Sequence, residues 1–183
     1  ILTSVEGGMV FTDNDDFAYK AKIIRSQGED PSRKYNHPLL GHNYRMSDIH
    51  AAIGLTQIKR IEKILKWRNQ AAKYYIKMLK DYPQIVLPIT SKECKHAWFL
   101  FSILVPKRDD VKEYLEKNGI ETNVSWPMPV YDQPIYKKYE KVVCSVAEDV
   151  AKKVLCLPLY YKISESEQNR VIDLLKRALD DLV

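Results

Sequence analysis

Cysteine is scarce in this chain, and the scarcity excludes a good deal. Cys94, Cys144 and Cys156 are the only three among 183 residues. An odd number without paired spacing gives no disulfide framework and fits a reducing compartment, so a cytoplasmic protein is expected. No Cys-x-x-Cys and no His-Glu-x-x-His joins the four histidines, at 37, 42, 50 and 96, so no metal centre is expected. No G-x-S-x-G elbow and no G-x-x-x-x-G-K loop is present, which removes two large classes of hydrolase and nucleotide-binding protein. No apolar run reaches the roughly 18 residues that a membrane helix needs, and no signal peptide is visible. An initiator methionine is missing too: the chain opens on ILTSVEGGMVFTD, which reads as a cut from something larger. Internal repeats and low-complexity tracts are absent.

What is there is ordinary in bulk. Apolar residues make up 45% and charged residues 29%, enough for a real core in a soluble globular protein. The net charge is +5, with lysines spread out, so neither a nucleic-acid nor a membrane partner is expected.

The stretch that organises the rest is Gly41 to Arg60, GHNYRMSDIHAAIGLTQIKR. It reads as a polar loop emptying into a helix. Ser47 is a good N-cap, and Asp48 suits the positive end of the helix dipole. Asn43, Tyr44 and Arg45 offer an amide, an aromatic face and a fixed charge just before that helix start, where an anion or another subunit is readily held. The same Asn43 and Arg45 could equally do no more than cap and brace the turn.

Taken in order, Glu6-Gly7-Gly8 predicts a tight turn and Met9–Phe11 a short strand. Asn14 to Ser26 predicts a helix capped by Asp13, with Phe17, Ala18, Ala21 and Ile24 inward and Gly28 as its end. Gln27 to Arg45 is a long loop broken by Pro31, Pro38 and Gly41, of the kind that is functional or covers a neighbour. His37 within it reads as a plain surface imidazole. From Ser47 to Tyr82 no proline interrupts a helical pattern: Ile49, Ala52, Leu55, Ile58, Ile61 and Leu65, then Trp67, Ala71, Tyr75, Met78 and Tyr82. Unbroken, it would be roughly 54 Å long at about 1.5 Å per residue. It is therefore expected to bend or to bridge two domains, with Gly54 as a weak point. Arg60, Lys63, Lys66 and Lys73 form its solvated side.

After Pro83, short strands are predicted at Ile85–Leu87 and Ile120–Val124, around a central strand in Ala97–Val105 that is apolar on both faces. Asp109 to Asn118 is a helix with Val111, Tyr114 and Leu115 inward and Gly119 as its stop. Trp126 to Pro134 is a proline-stiffened aromatic loop that suits a sugar or a ring, with structural packing an equal reading. Ser145–Val154 predicts a helix and Leu155–Leu159 a buried strand. Ser164-Glu165-Ser166-Glu167 is a capping box opening a last helix with Val171, Leu174, Leu175, Ala178 and Leu182 on one face. The strand–helix–strand order points to an α/β layered domain.

Three stretches in order, LTSVEGGMVFTD (2–13), LGHNYRMSDIHAAIGLTQI (40–58) and GIETNVSWPMPVYDQPIY (119–136), together with the terminal VLCLPLYYKISESEQNRVIDLL, resemble the DegT/DnrJ/EryC1/StrS family of pyridoxal-phosphate-dependent sugar aminotransferases. The resemblance implies an α/β protein of fold-type I, with residues 1–65 closing the large cofactor domain and residues 66–183 forming the small C-terminal domain. It implies transamination at a keto group of a nucleotide-linked sugar, with an amino acid, typically glutamate, as donor. It implies a homodimer with the active site shared across the interface, and a pyridoxal 5'-phosphate held in part by Asn43 of the partner subunit. Arg45 and Tyr44, then Trp126 and Tyr131, are the implied substrate contacts. No catalytic residue is expected within the chain: the family's cofactor lysine aligns immediately before Ile1, so these residues alone should be inactive. Ser125, Trp126 and Tyr131 stand where histidines are frequent, Val5 replaces a usual glycine and Gln27 a usual histidine. Two rival readings are a lysine-less binding or regulatory module of the same fold and a small nucleic-acid-binding protein built on the long helix.

Overall fold

The computed structural model describes residues 1–139 and 143–182. The chain divides into two compact units, Ile1–Ile61 and Glu62–Val183.

In the first unit, α1 (Asp15–Arg25) is capped by Asn14, whose side chain accepts from Phe17 N at 3.0 Å. The cap is therefore one residue later than Asp13. Asp15 and Asp16 in its first turn and Lys22 and Arg25 in its last complement the helix dipole. The inward face is not the one the pattern suggests: Ile23 is buried, whereas Phe17 and Ile24 are exposed. Met9–Phe11 forms no strand and lies open to solvent. A second helix, α2 (Asp48–Ile58), starts at Ser47 as expected, with His50 N donating to the Ser47 hydroxyl. It has no buried residue; Ile49, Leu55 and Ile58 are all exposed.

The long helical pattern breaks, but not at Gly54. Lys59 N bonds to Leu55 O and Arg60 N to Gln57 O at 3.0 Å, the second a tightened turn of the kind that ends helices. A new helix, α3 (Ile61–Leu79), then begins. At Gly54 an added Cβ would meet only Ser4 Cβ, at 3.5 Å.

The second unit is built round α3. Ala71, Ala72, Tyr75 and Leu79 recur at helical spacing and are buried, while Lys63, Lys66 and Lys73 face solvent. Tyr75 stacks on Phe101, centroids 5.0 Å apart, and Trp98 leans on the same ring at 5.7 Å. Strand β1 (Phe101–Leu104) pairs antiparallel with β2 (Val154–Leu157), Phe101 opposite Leu157 and Leu104 opposite Val154. The expected outer strands shrink to single bridges, Val86 with Leu104 and Asn123 with Cys156. The strand buried on both faces is β2, not β1. β1 is also shorter than expected because Trp98 takes a left-handed φ of +52° and Phe99 turns out to solvent.

Helix α4 (Arg108–Lys117) buries Val111 and Leu115 and packs on the last helix, α6 (Glu165–Leu182). It ends in a Schellman arrangement: Gly119 N bonds Glu116 O and Ile120 N bonds Leu115 O, with Gly119 at φ +77°. Two short 3-10 turns (Val130–Asp132 and Pro134–Tyr136) follow, then α5 (Ser145–Lys153). The capping box forms as the sequence predicts: Glu167 N donates to the Ser164 hydroxyl, and Ser164 N donates to the Glu167 carboxylate at 2.7 Å. It opens α6 (Glu165–Leu182), which buries Val171, Ile172, Leu175, Ala178 and Leu179.

Polar groups inside this unit are mostly matched. Arg68 donates to the carbonyls of Trp98, Phe99 and Leu159. Buried Arg108 donates to those of Ala151 and Val154, and Gln168 to that of Ala71. Tyr75 donates to Pro158 O at 3.0 Å, and burial pushes its hydroxyl pKa well up. Among the described residues, the Thr122 hydroxyl is the buried side-chain group left without a partner.

Candidate functional site

The loop from Gln27 to Arg45 is tied down at both ends and at its tip. At its root the C-terminus of α1 takes half of a Schellman cap, Gly28 N to Ile23 O at 2.9 Å. The inner bond of that motif would run from Gln27 N to Ile24 O. Here it is replaced by a pair through His42: Gln27 N donates to His42 O, and His42 N donates to Ile24 O, each at 2.9 Å. Tyr44 N adds a bond to Arg25 O at 2.9 Å. Residues 42–44 thus supply donors to α1 carbonyls that would otherwise lack partners. Two glycines allow the approach. A Cβ on Gly28 would stand 1.9 Å from Leu39 O, and one on Gly41 2.2 Å from Gly28 N.

At the tip, two carboxylates build the turn. Asp30 accepts from the Ser32 backbone and hydroxyl, at 2.8 and 2.7 Å, and Glu29 accepts from Tyr35 N at 2.7 Å. The Ser32 hydroxyl and N–H hold Asp30 below the usual carboxylate range, and Tyr19 of α1 also contributes.

Successive side chains alternate along an extended stretch. His42 and Tyr44 come together, ring centroids 5.1 Å apart. Arg45 N leans on the Asn43 amide oxygen at 3.4 Å. The Arg45 guanidinium donates to the Gln27 side-chain oxygen at 2.9 Å. Among the described residues Arg45 makes no ion pair, and the Asn43 NH2 has no acceptor. Asn43, Tyr44 and Arg45 are all exposed. This edge offers N–H donors and one positive charge with no carboxylate among them, which is the donor set a phosphate takes and a metal cation does not. A pyridoxal phosphate, through its phosphate group, fits these residues.

The other expected contacts lie in the second unit. Trp126 is 80% exposed and held at a left-handed φ of +59°. Tyr131 is different: its hydroxyl donates to Glu148 at 3.1 Å and accepts from Cys144 N at 3.4 Å, tying the aromatic loop to the start of α5. Desolvation raises its pKa, and the neighbouring Glu148 carboxylate adds to the shift. Ser125 and Ser102 flank the buried Cys156 thiol. No group of three or more His, Cys, Asp or Glu among the described residues could hold a metal ion, and no helix there is long and apolar enough to cross a membrane.

Reading residues in sequence marked Gln27 only as a departure from the family's usual histidine and Gly28 only as the end of α1, and it missed Glu29 and Asp30. The Asp30-x-Ser32 spacing was a usable signal for the tip, since aspartate commonly bonds the backbone two residues on. The Gly28–Gly41 approach had no local signal.

Known proteins match this chain over most of its length. The DegT/DnrJ/EryC1/StrS aminotransferase family matches residues 1–176. This chain belongs to that family. It is 32% identical over 98% of its length to a GDP-perosamine synthase of Caulobacter vibrioides, covering 50% of that protein. It is 29% identical over 92% to a dTDP-3-amino-3,4,6-trideoxy-alpha-D-glucose transaminase of Streptomyces venezuelae, covering 44% of it. The crystal structure of S. venezuelae DesV in complex with a ketimine intermediate superposes with a TM-score of 0.83 at 28% identity, over 91% of this chain and 45% of that one. NtdA from Bacillus subtilis with bound cofactor PMP gives 0.83 at 30%, over 92% and 41%. The chain therefore spans about half the length of the curated relatives it matches. The fold is the α/β fold of these aminotransferases.

Proposed function

We propose that the full-length protein is a pyridoxal-phosphate-dependent aminotransferase acting on a nucleotide-linked keto sugar. An amino acid, glutamate by expectation, gives its nitrogen to the keto carbon of the sugar. When bound, the cofactor's protonated ring supplies the electron sink for the transfer. Residues of this chain do the holding. The Asn43 NH2 and the Arg45 guanidinium receive phosphate oxygens, and Tyr44 walls the same edge. Trp126 offers an exposed ring for stacking on the substrate, and Tyr131 holds the loop that carries it. The protein works as a homodimer in the cytoplasm, and Asn43 serves the cofactor of the partner subunit. Residues 1–183 alone are expected to be inactive, since none is assigned the proton-shuttling role that a lysine takes in this reaction.

The observation that carries the reading is the loop at Asn43 and Arg45, where, among the described residues, a free amide NH2 and a guanidinium outside any ion pair meet no carboxylate partner, in a chain of an aminotransferase family. The test mixes the full-length protein, pyridoxal phosphate and glutamate with a panel of 3-keto and 4-keto nucleotide sugars. Mass spectrometry should find an amino sugar and 2-oxoglutarate in equal amounts. Cofactor binding without transfer to any sugar would favour a binding or regulatory role. That second reading has one observation in its favour: a Geobacillus stearothermophilus relative, 31% identical over 92% of this chain, is named a pleiotropic regulatory protein.

A further inference from the structure

Gln27 stands where a glycine would be easier. It is the first residue beyond the α1 cap, at φ +61°, and glycine or asparagine usually fills that left-handed position. A side chain there costs on the order of 1 kcal/mol in backbone strain. The strain is held by Gln27 N on His42 O and by Gly28 N on Ile23 O. The left-handed turn carries the Gln27 side chain to Arg45, 18 positions on, with the amide oxygen 2.9 Å from the guanidinium.

The acceptor is neutral. A glutamate at that reach would orient the guanidinium equally well and would also cancel its charge. An amide oxygen takes one of the five guanidinium N–H groups and leaves the charge whole. The neighbouring Asn43 amide adds no negative charge either.

We propose that Gln27 is a positioning residue that fixes the Arg45 guanidinium without neutralising it, so that the Asn43–Arg45 edge can take a phosphate group. The phosphate is that of the cofactor or of the nucleotide carried by the substrate. This rests on the function proposed above and adds a residue to it. A bystander Gln27 would be a surface side chain whose replacement leaves anion affinity alone.

The test uses the full-length apoprotein and two variants, Gln27→Glu and Gln27→Gly. Pyridoxal phosphate and UDP are titrated separately, each followed by protein fluorescence, with thermal melting measured alongside. Gln27→Glu keeps the bond and adds a charge, so affinity should fall about tenfold. Gln27→Gly removes the acceptor and relieves the backbone, so affinity should fall about threefold while the melting temperature holds or rises. Loss toward pyridoxal phosphate alone assigns the cofactor phosphate; loss toward UDP alone assigns the nucleotide. Either supports the proposal. Variants that bind both ligands as the parent does overturn it and leave the aminotransferase reading standing. A Gln27→Gly protein whose affinity falls only in step with its melting temperature also overturns it, because that is the signature of a purely structural role. A parent that binds neither ligand removes the aminotransferase reading, and this inference with it.

Discussion

Residues 62–183 close round Tyr75 and Phe101, with some two dozen buried side chains drawn from four helices and both strands. Residues 1–61 bury one hydrophobic side chain, Ile23. Yet both have well-formed helices with proper caps. Capping and backbone pairing can therefore shape a segment that has almost no core. In the first unit, local hydrogen bonds hold the shape, from Asn14, Ser47, Asp30 and the backbone of residues 42–44. In the second, apolar burial does most of the work, at roughly 1.5–3 kcal/mol per large side chain. The phosphate-type edge sits in the part with least burial of its own.

The largest expected effect breaks the comparison if it fails. Residues 62–183 expressed alone should melt cooperatively by circular dichroism, whereas residues 1–61 alone should show no cooperative transition. A sharp melt from the shorter piece would mean that caps and turns suffice. Next, Phe101→Ala in the 62–183 piece should lower its unfolding free energy by about 3–5 kcal/mol in a urea titration, because Tyr75 and Trp98 both lose their ring partner.

A smaller effect sharpens the other side. Gly28→Ala would force a Cβ against Leu39 O and strain a φ of +81°. The loop should loosen by about 1–3 kcal/mol, read in the full-length protein as faster protease cleavage between residues 29 and 40.

The smallest effect concerns the α6 cap. Ser164→Ala should cost about 1 kcal/mol at neutral pH. The Ser164 hydroxyl and N–H hold Glu167 below its ordinary value of 4.5, with Tyr160 helping. A carboxylate depressed in the folded state stabilises above its unfolded value, and that contribution is lost as pH falls through the folded one. The gap between parent and Ser164→Ala in melting temperature should therefore narrow below pH 4.5.

How far all this could be read from the chain depended on the range of each interaction. Ser47 and the Ser164–Glu167 box were legible because a cap is decided within four residues. Gly119 was legible as a stop for the same reason. The α3 face was legible from its spacing, but the same spacing misled at Ile49, Leu55 and Ile58, since periodicity tells which face is apolar and not whether anything in the chain covers it. The strands at 85–87 and 120–124 came out as single bridges because pairing depends on a partner's register, which no local pattern carries. In the site, Asn43 and Arg45 stood out by residue type and by resemblance. Gln27 stood out only as a departure from the family's usual histidine; its contact with Arg45 did not, because it depends on a left-handed turn and a partner 18 residues away.

The most direct test of the central claim is subunit complementation in the full-length protein, on the aminotransferase reading proposed above. One variant carries Asn43→Ala; the other lacks the lysine that the family resemblance expects to carry the cofactor. Each should be nearly inactive alone. If Asn43 reaches the partner's cofactor, mixed dimers regain one intact site, and an equal mixture should recover about a quarter of parental transaminase activity. An equal mixture that stays as inactive as its two components would place Asn43 in its own subunit's site, or in none, and would contradict the account.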